Sequence, residues 1–277
     1  MTGELINEIS VLWSWLSPAW LLIGACLAAY LVAFWGGLET RSWWFAGSLA
    51  GLFVAYVSPV YALADGVMFT AHMIQHLVLL LIVPLCFLLS LPRARMAEWL
   101  ARPKVEPLGR LLSFAPVGWA LGLSVMWVWH VPTLCTASLQ SSWLGVFQDV
   151  TFVVAGLAFW WPVFSPVKAQ RLAPASAALY LFTACVGCTL LGIYLTFTPI
   201  SVCPVFARPA AGTGLLEAVR AGGFSAGMDQ RLGGLLMWVP PCVLYAGAIV
   251  AVCRRWYAGD EEAAATGESL EASESVK

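Results

Sequence analysis

His72 and His76 stand four residues apart in an apolar stretch of the chain, a spacing that stacks two imidazoles on one face of a helix. Two histidines so placed can share one metal ion, as those of a zinc-protease helix do. His130 ends a second apolar stretch, and Asp229 and Gln230 open the last one, offering a carboxylate and an amide. Met68 precedes His72 by one helical turn on the same face, and Met73 lies one residue off that face. Thioether beside imidazole favours Cu(I). The candidate metal ligands are therefore His72, His76, His130, Asp229 and Met68, with copper as the expected metal. Two other readings stay open. A single membrane histidine also serves as a hydrogen-bonding group between helices, and His72 or His76 with His130 could be axial ligands to haem b. A copper or proton transporter ranks third, because the far halves of these helices offer few polar groups beyond cysteine.

Composition says where such residues must work. Hydrophobic residues are 61% and charged residues 10% of the 277 positions, against about 25% charged in soluble domains. Lipid must be the solvent for this much apolar surface. The net charge of −1 provides no basic stripe for nucleic acid. No nucleotide loop, Ser/His/Asp set or carboxylate pair supports an enzyme. Cys185 and Cys188 fall deep in an apolar stretch, where small residues packing helices is the first reading and a copper-passing pair the second. Cys135 and Cys203 both fall in loops, where an oxidising compartment would permit a disulfide.

A span needs roughly 20 mostly apolar residues. The expected fold is all-α, a polytopic transmembrane bundle of about seven helices at 19–37, 43–64, 66–91, 114–131, 143–165, 174–199 and 231–253. Residues 1–18 read as an N-terminal interfacial segment, with Ile6, Ile9, Leu12, Trp13 and Leu16 along one face. Residues 19–257 form the transmembrane domain, and 258–277 read as a disordered acidic cytoplasmic tail. With the N-terminus outside and the C-terminus inside, eleven of the fourteen Lys and Arg residues fall inside and only Arg208, Arg220 and Arg231 fall outside. That orientation places all three histidines, Asp229 and Asp149 near the outer face. Met126, in the fourth helix, is assigned no role.

Four blocks of the sequence carry a resemblance. Phe69-Thr70-Ala71-His72-Met73-Ile74-Gln75-His76, running on to Pro84, resembles the H-M-x-Q-H helix of the bacterial CtaG-type cytochrome c oxidase assembly proteins. Trp129-His130-Val131-Pro132, the run from Ala155 to Pro162 and the run from Asp229 to Trp238 follow in that family's order. The resemblance covers about residues 60–253. It implies a multi-pass protein of the bacterial plasma membrane that matures a haem–copper oxidase through copper handling. Its expected partners are the lipid bilayer, oxidase subunits and a periplasmic copper chaperone. The family pattern carries histidine at the start of the fifth helix, where this chain reads Gly145-Val146-Phe147-Gln148-Asp149. Asp149 or Gln148 is the expected substitute.

Overall fold

The structure, a computed structural model, describes residues 12–35, 37–207, 217 and 220–274, with side chains as far as 258. Most of the interfacial segment expected at 1–18 lies outside these residues. Among them the chain is helical throughout, with no strand. In chain order the helices are α1 (Ala19–Phe34), α2 (Trp44–Tyr56), α3 (Pro59–Ala64), α4 (Phe69–Leu77), α5 (Val83–Ser90), α6 (Arg93–Leu100), α7 (Glu106–Ser113), α8 (Ala115–Trp129), α9 (Pro132–Gln140), α10 (Ser142–Phe164), α11 (Pro174–Phe197) and α12 (Ala226–Glu274).

Among the described residues four helical stretches are long and apolar enough to cross a membrane: Phe69–Ser90, Ser142–Phe164, Pro174–Phe197 and Ala226–Ala258. Among the same residues α7 and α8, bent by 70° at their junction, make a fifth if they count as one span. The seven expected apolar regions are all helical, but three fall short of span length. The 16 residues of α1 rise about 24 Å, against the ~30 Å of a hydrocarbon core. The region expected at 43–64 breaks at Ser58-Pro59. A residue before proline is driven out of the α conformation, and Ser58, extended at ψ 169°, instead caps α3 through the Val60 N–H. The acidic stretch assigned to a disordered tail is helical through Glu274; its Ala and Glu residues are strong helix formers.

Phe69–Ser90 is the central column. Its apolar window is 67% buried, against 28–39% for the other three spans. α12 packs on its α4 half, α2 on its α5 half, and α10 along its lower length. The outer surfaces of α10, α11 and α12 expose Val146, Phe147, Val154, Phe182, Leu190, Phe197, Val243 and Val250. Apolar faces of that extent require lipid.

Between α4 and α5 the column widens into a π-helical turn, Val78–Ile82. Pro84 supplies no N–H, so a carbonyl one turn back loses its usual donor. The Trp160 indole N–H reaches the Leu81 carbonyl at 3.1 Å and helps to satisfy the loosened turn. Gly156 makes the approach of α10 possible, because a Cβ there would collide with the Leu80 carbonyl and the Pro84 ring.

Two disulfides cross-link the bundle. Cys135 on α9 joins Cys203, and Cys185 on α11 joins Cys242 on α12. The Cys185/Cys188 pair is therefore split between two fates. Cys188 is a free, buried thiol 3.7 Å from the Met126 sulfur and 3.7 Å from the Tyr245 hydroxyl.

Candidate metal centre

α4 begins at Phe69 because Gly66 turns the chain at φ 74° and Met68 is extended, so the first helical N–H groups face the end of the bundle. Nearly every residue of α4 is buried. That places both imidazoles in protein, His72 at 3% and His76 at 2% exposure. The two rings lie 4.1 Å apart, and His76 is 5.7 Å from His130, nearly perpendicular to it. Phe206 covers His72 at 5.3 Å and Phe152 covers His76 at 4.4 Å.

All four ring nitrogens of His72 and His76 are buried without a hydrogen-bond partner. The Ala64 carbonyl faces His72 but falls outside hydrogen-bond geometry. An unpaired buried polar group costs roughly 1–3 kcal/mol, so their persistence demands a reason.

His130 adds to it. A carbonyl oxygen only accepts, so in the neutral ring the proton is assigned to Nδ1, which lies 2.5 Å from the Met126 carbonyl. Nε2 then holds a lone pair, and 3.3 Å away stands the Met73 sulfur, itself an acceptor. In that tautomer two lone-pair atoms face each other in a dry interior, a contact that a second proton on the ring or a bound cation relieves.

The remaining expected ligands are placed otherwise. Asp229 is fully buried, and its carboxylate accepts from the Phe69 N–H at 2.9 Å, the Thr70 N–H at 3.0 Å and the Thr70 hydroxyl at 2.6 Å. Arg220 approaches it at 3.3 Å. Asp229 thus caps α4 from another helix, taking the orphan N–H groups at a helix N-terminus where negative charge is favoured. Its hydrogen-bond and ion-pair partners are Phe69, Thr70 and Arg220, none of them a histidine. Met68 is the extended residue before α4, half-buried, and its carbonyl accepts the His72 N–H at 3.2 Å. Met73, on the helix itself, brings its sulfur to 3.3 Å from His130 Nε2. Gln230 bonds the 195–202 segment through the Val202 N–H and the Leu195 and Ile200 carbonyls. Asp149 accepts from the Tyr56 hydroxyl at 2.9 Å, while the buried Gln148 leaves its amide nitrogen unpartnered.

The three imidazoles and Met73 make a row. Among the described residues, no three His, Cys, Asp or Glu side chains are gathered closely enough to hold one ion. Phe206 closes one end of this row and also lines a cavity of about 200 Å³ with Phe69, Cys203, Gln230 and Arg231. The Cys135–Cys203 bond holds the short helical turn, Pro204–Ala207, that carries Phe206. Sequence reasoning placed Met73 one residue off the histidine face and left it out of the ligand set, and it missed Phe206, which carries no signal in the sequence.

Over residues 13–259 the chain matches the model of a protein family described as the cytochrome c oxidase caa3 assembly factor, Caa3_CtaG. It belongs to that family. No curated protein and no solved structure matches the chain. The match spans every helix from α1 through the membrane portion of α12, so the histidine row lies inside the region that defines the caa3 assembly factors.

Proposed function

We propose that this caa3 assembly factor takes up copper as Cu(I) at the histidine end of the bundle and passes it to a haem–copper oxidase subunit, without catalysing a reaction of its own. The observation that carries this is the row of unsatisfied soft and borderline donors: four unpartnered imidazole nitrogens, and a His130 lone pair facing the Met73 sulfur. Imidazole with thioether is a donor set for Cu(I). A row that gathers no three-ligand cage suits a cargo that must be released. The excess of Lys and Arg in the loops at the opposite end favours a bacterial plasma-membrane protein of about seven helical segments, N-terminus and histidines outward. A periplasmic copper chaperone would then meet the site from the cavity beside Phe206. Against haem b stands the packing of Phe152 and Phe206 directly on the rings, which fills the space a porphyrin would take.

The test is Cu(I) titration of purified protein against a chromophoric Cu(I) chelator, beside oxidase activity in membranes of copper-limited cells. His76→Ala should insert normally, bind Cu(I) at least tenfold more weakly and lower oxidase activity, with partial rescue by added copper through mass action. Normal oxidase activity from His76→Ala at normal abundance under copper limitation would overturn the reading. Soret and α absorption bands in the purified protein would favour haem.

A further inference from the structure

At the end of the bundle away from the histidines, four arginines from separate segments converge. Arg41 lies in the short helical turn Thr40–Trp43, Arg93 starts α6, Arg171 follows the turn Lys168–Gln170, and Arg255 lies on α12. Arg41 Nε donates to the Leu89 carbonyl at 2.6 Å, at the last turn of α5. Arg171 Nε donates to the Ser165 carbonyl at 2.6 Å and Arg255 reaches the Val163 carbonyl at 3.5 Å, both at the last turn of α10.

Capping two helix C-termini is the simplest role for these cations. It leaves most of their chemistry unused. A guanidinium carries five N–H donors in a planar fork, and at Arg41 and Arg171 the cap engages one of them. Arg41 Nη1 is buried with no partner. The charges also face one another: Arg171 meets the fields of Arg255, Arg93 and Arg41, and Arg93 faces both Arg41 and Arg255. Burial and this mutual repulsion push the Arg171 guanidinium down to about 10. Glu39 is the acid facing Arg41, and its carboxylate is engaged by the backbone N–H groups of Arg93 and Ser42. Among the described residues none of the four arginines makes an ion pair. Two half-buried guanidiniums form the base of this cluster and the two exposed ones, Arg93 and Arg255, its rim.

We propose that the four arginines form a binding site for a phosphate group, either on an anionic phospholipid headgroup or as free phosphate. Guanidinium forks match phosphate oxygens in pairs. Basic pockets between membrane helices are suited to anionic headgroups. The site is separate from the histidine row and independent of copper.

The test uses full-length protein in neutral detergent, with thermal unfolding and direct binding measured for dioleoylphosphatidylglycerol, dioleoylphosphatidylcholine and inorganic phosphate at matched ionic strength. Phosphatidylglycerol should raise the unfolding temperature where phosphatidylcholine does not. Arg41→Gln with Arg171→Gln should weaken its binding tenfold or more, while Arg102→Gln, an exposed charge at the same end, should change it less than twofold. Arg93→Gln removes only an exposed rim charge and should weaken binding several-fold, which keeps the test valid where the double variant fails to fold. Equal protection by inorganic phosphate assigns the site to the free anion. Phosphatidylglycerol binding that is unchanged in Arg93→Gln, or no effect of either phosphate source on the wild type, overturns the proposal.

Discussion

Asp229→Ala tests whether this carboxylate holds the histidine helix or holds metal. The substitution removes the acceptor of the Phe69 N–H, the Thr70 N–H and the Thr70 hydroxyl, and it strips Arg220 of its counter-charge. Each buried donor left unpaired costs roughly 1–3 kcal/mol, and loss of a helix cap alone costs about 0.5–2 kcal/mol. These terms overlap, and water entering from the bundle mouth relieves part of them. The expected loss is about 3 kcal/mol, which shifts the folding equilibrium more than 100-fold. Asp229→Asn keeps one oxygen for the Thr70 donors but turns an amide toward the Phe69 N–H, so about half that loss is expected. Denaturation of the protein in mixed micelles, followed by tryptophan fluorescence, reads the stability. Cu(I) titration of the fraction that remains folded reads the site. A cap predicts early unfolding with near-normal copper affinity in the folded fraction. Wild-type stability together with a tenfold loss of copper affinity in Asp229→Ala would refute the argument and return the residue to the ligand set.

Three further outcomes follow from the packing. Phe206→Ala removes the ring between His72 and the 200 Å³ cavity, and should speed removal of Cu(I) by a membrane-impermeant chelator several-fold, measured by stopped-flow absorbance. Gly156→Ala drives a methyl into the Leu80 carbonyl. It should cost more than about 3 kcal/mol, because overpacking against backbone cannot relax as side chains do, and the measurement is protein yield and unfolding midpoint. Cys135 and Cys203, bonded in the structure, should resist alkylation until the protein is reduced, while Cys26 and Cys253 react in the unfolded protein without reduction; mass spectrometry of the alkylated chain checks both.

The histidine pair was legible in the sequence because helical spacing is local: four residues at 3.6 per turn bring two side chains together whatever surrounds them. At Met68 that logic meets the helix boundary: Gly66 at positive φ and an extended backbone start the helix at Phe69, with the Met68 carbonyl taking its first bond. Asp229 was legible as a carboxylate at the mouth of the last helix, but not as a cap, since the Phe69 N–H that it accepts lies 160 residues away. Met126 shows the limit of reading roles from side-chain type. No role was given to it, yet its carbonyl fixes the His130 ring and its sulfur touches Cys188. Hydropathy found each apolar region, but it does not see where a proline divides a helix, as at Pro59, or where two helices meet at 70°.

The cap on α4 also sets an order of events during synthesis. Its donor groups enter the membrane with the third apolar stretch, whereas the carboxylate that satisfies them arrives 160 residues later, at the start of the last helix. A chain released before that point carries both histidines of α4 on a helix whose first turn is unfinished and free to fray. The ribosome must therefore deliver the C-terminal helix before the imidazoles acquire fixed positions. A truncated product would expose unpaired backbone N–H groups at the mouth of the bundle, a defect that membrane proteases can recognise, and the histidine row would reach its final geometry only in finished molecules.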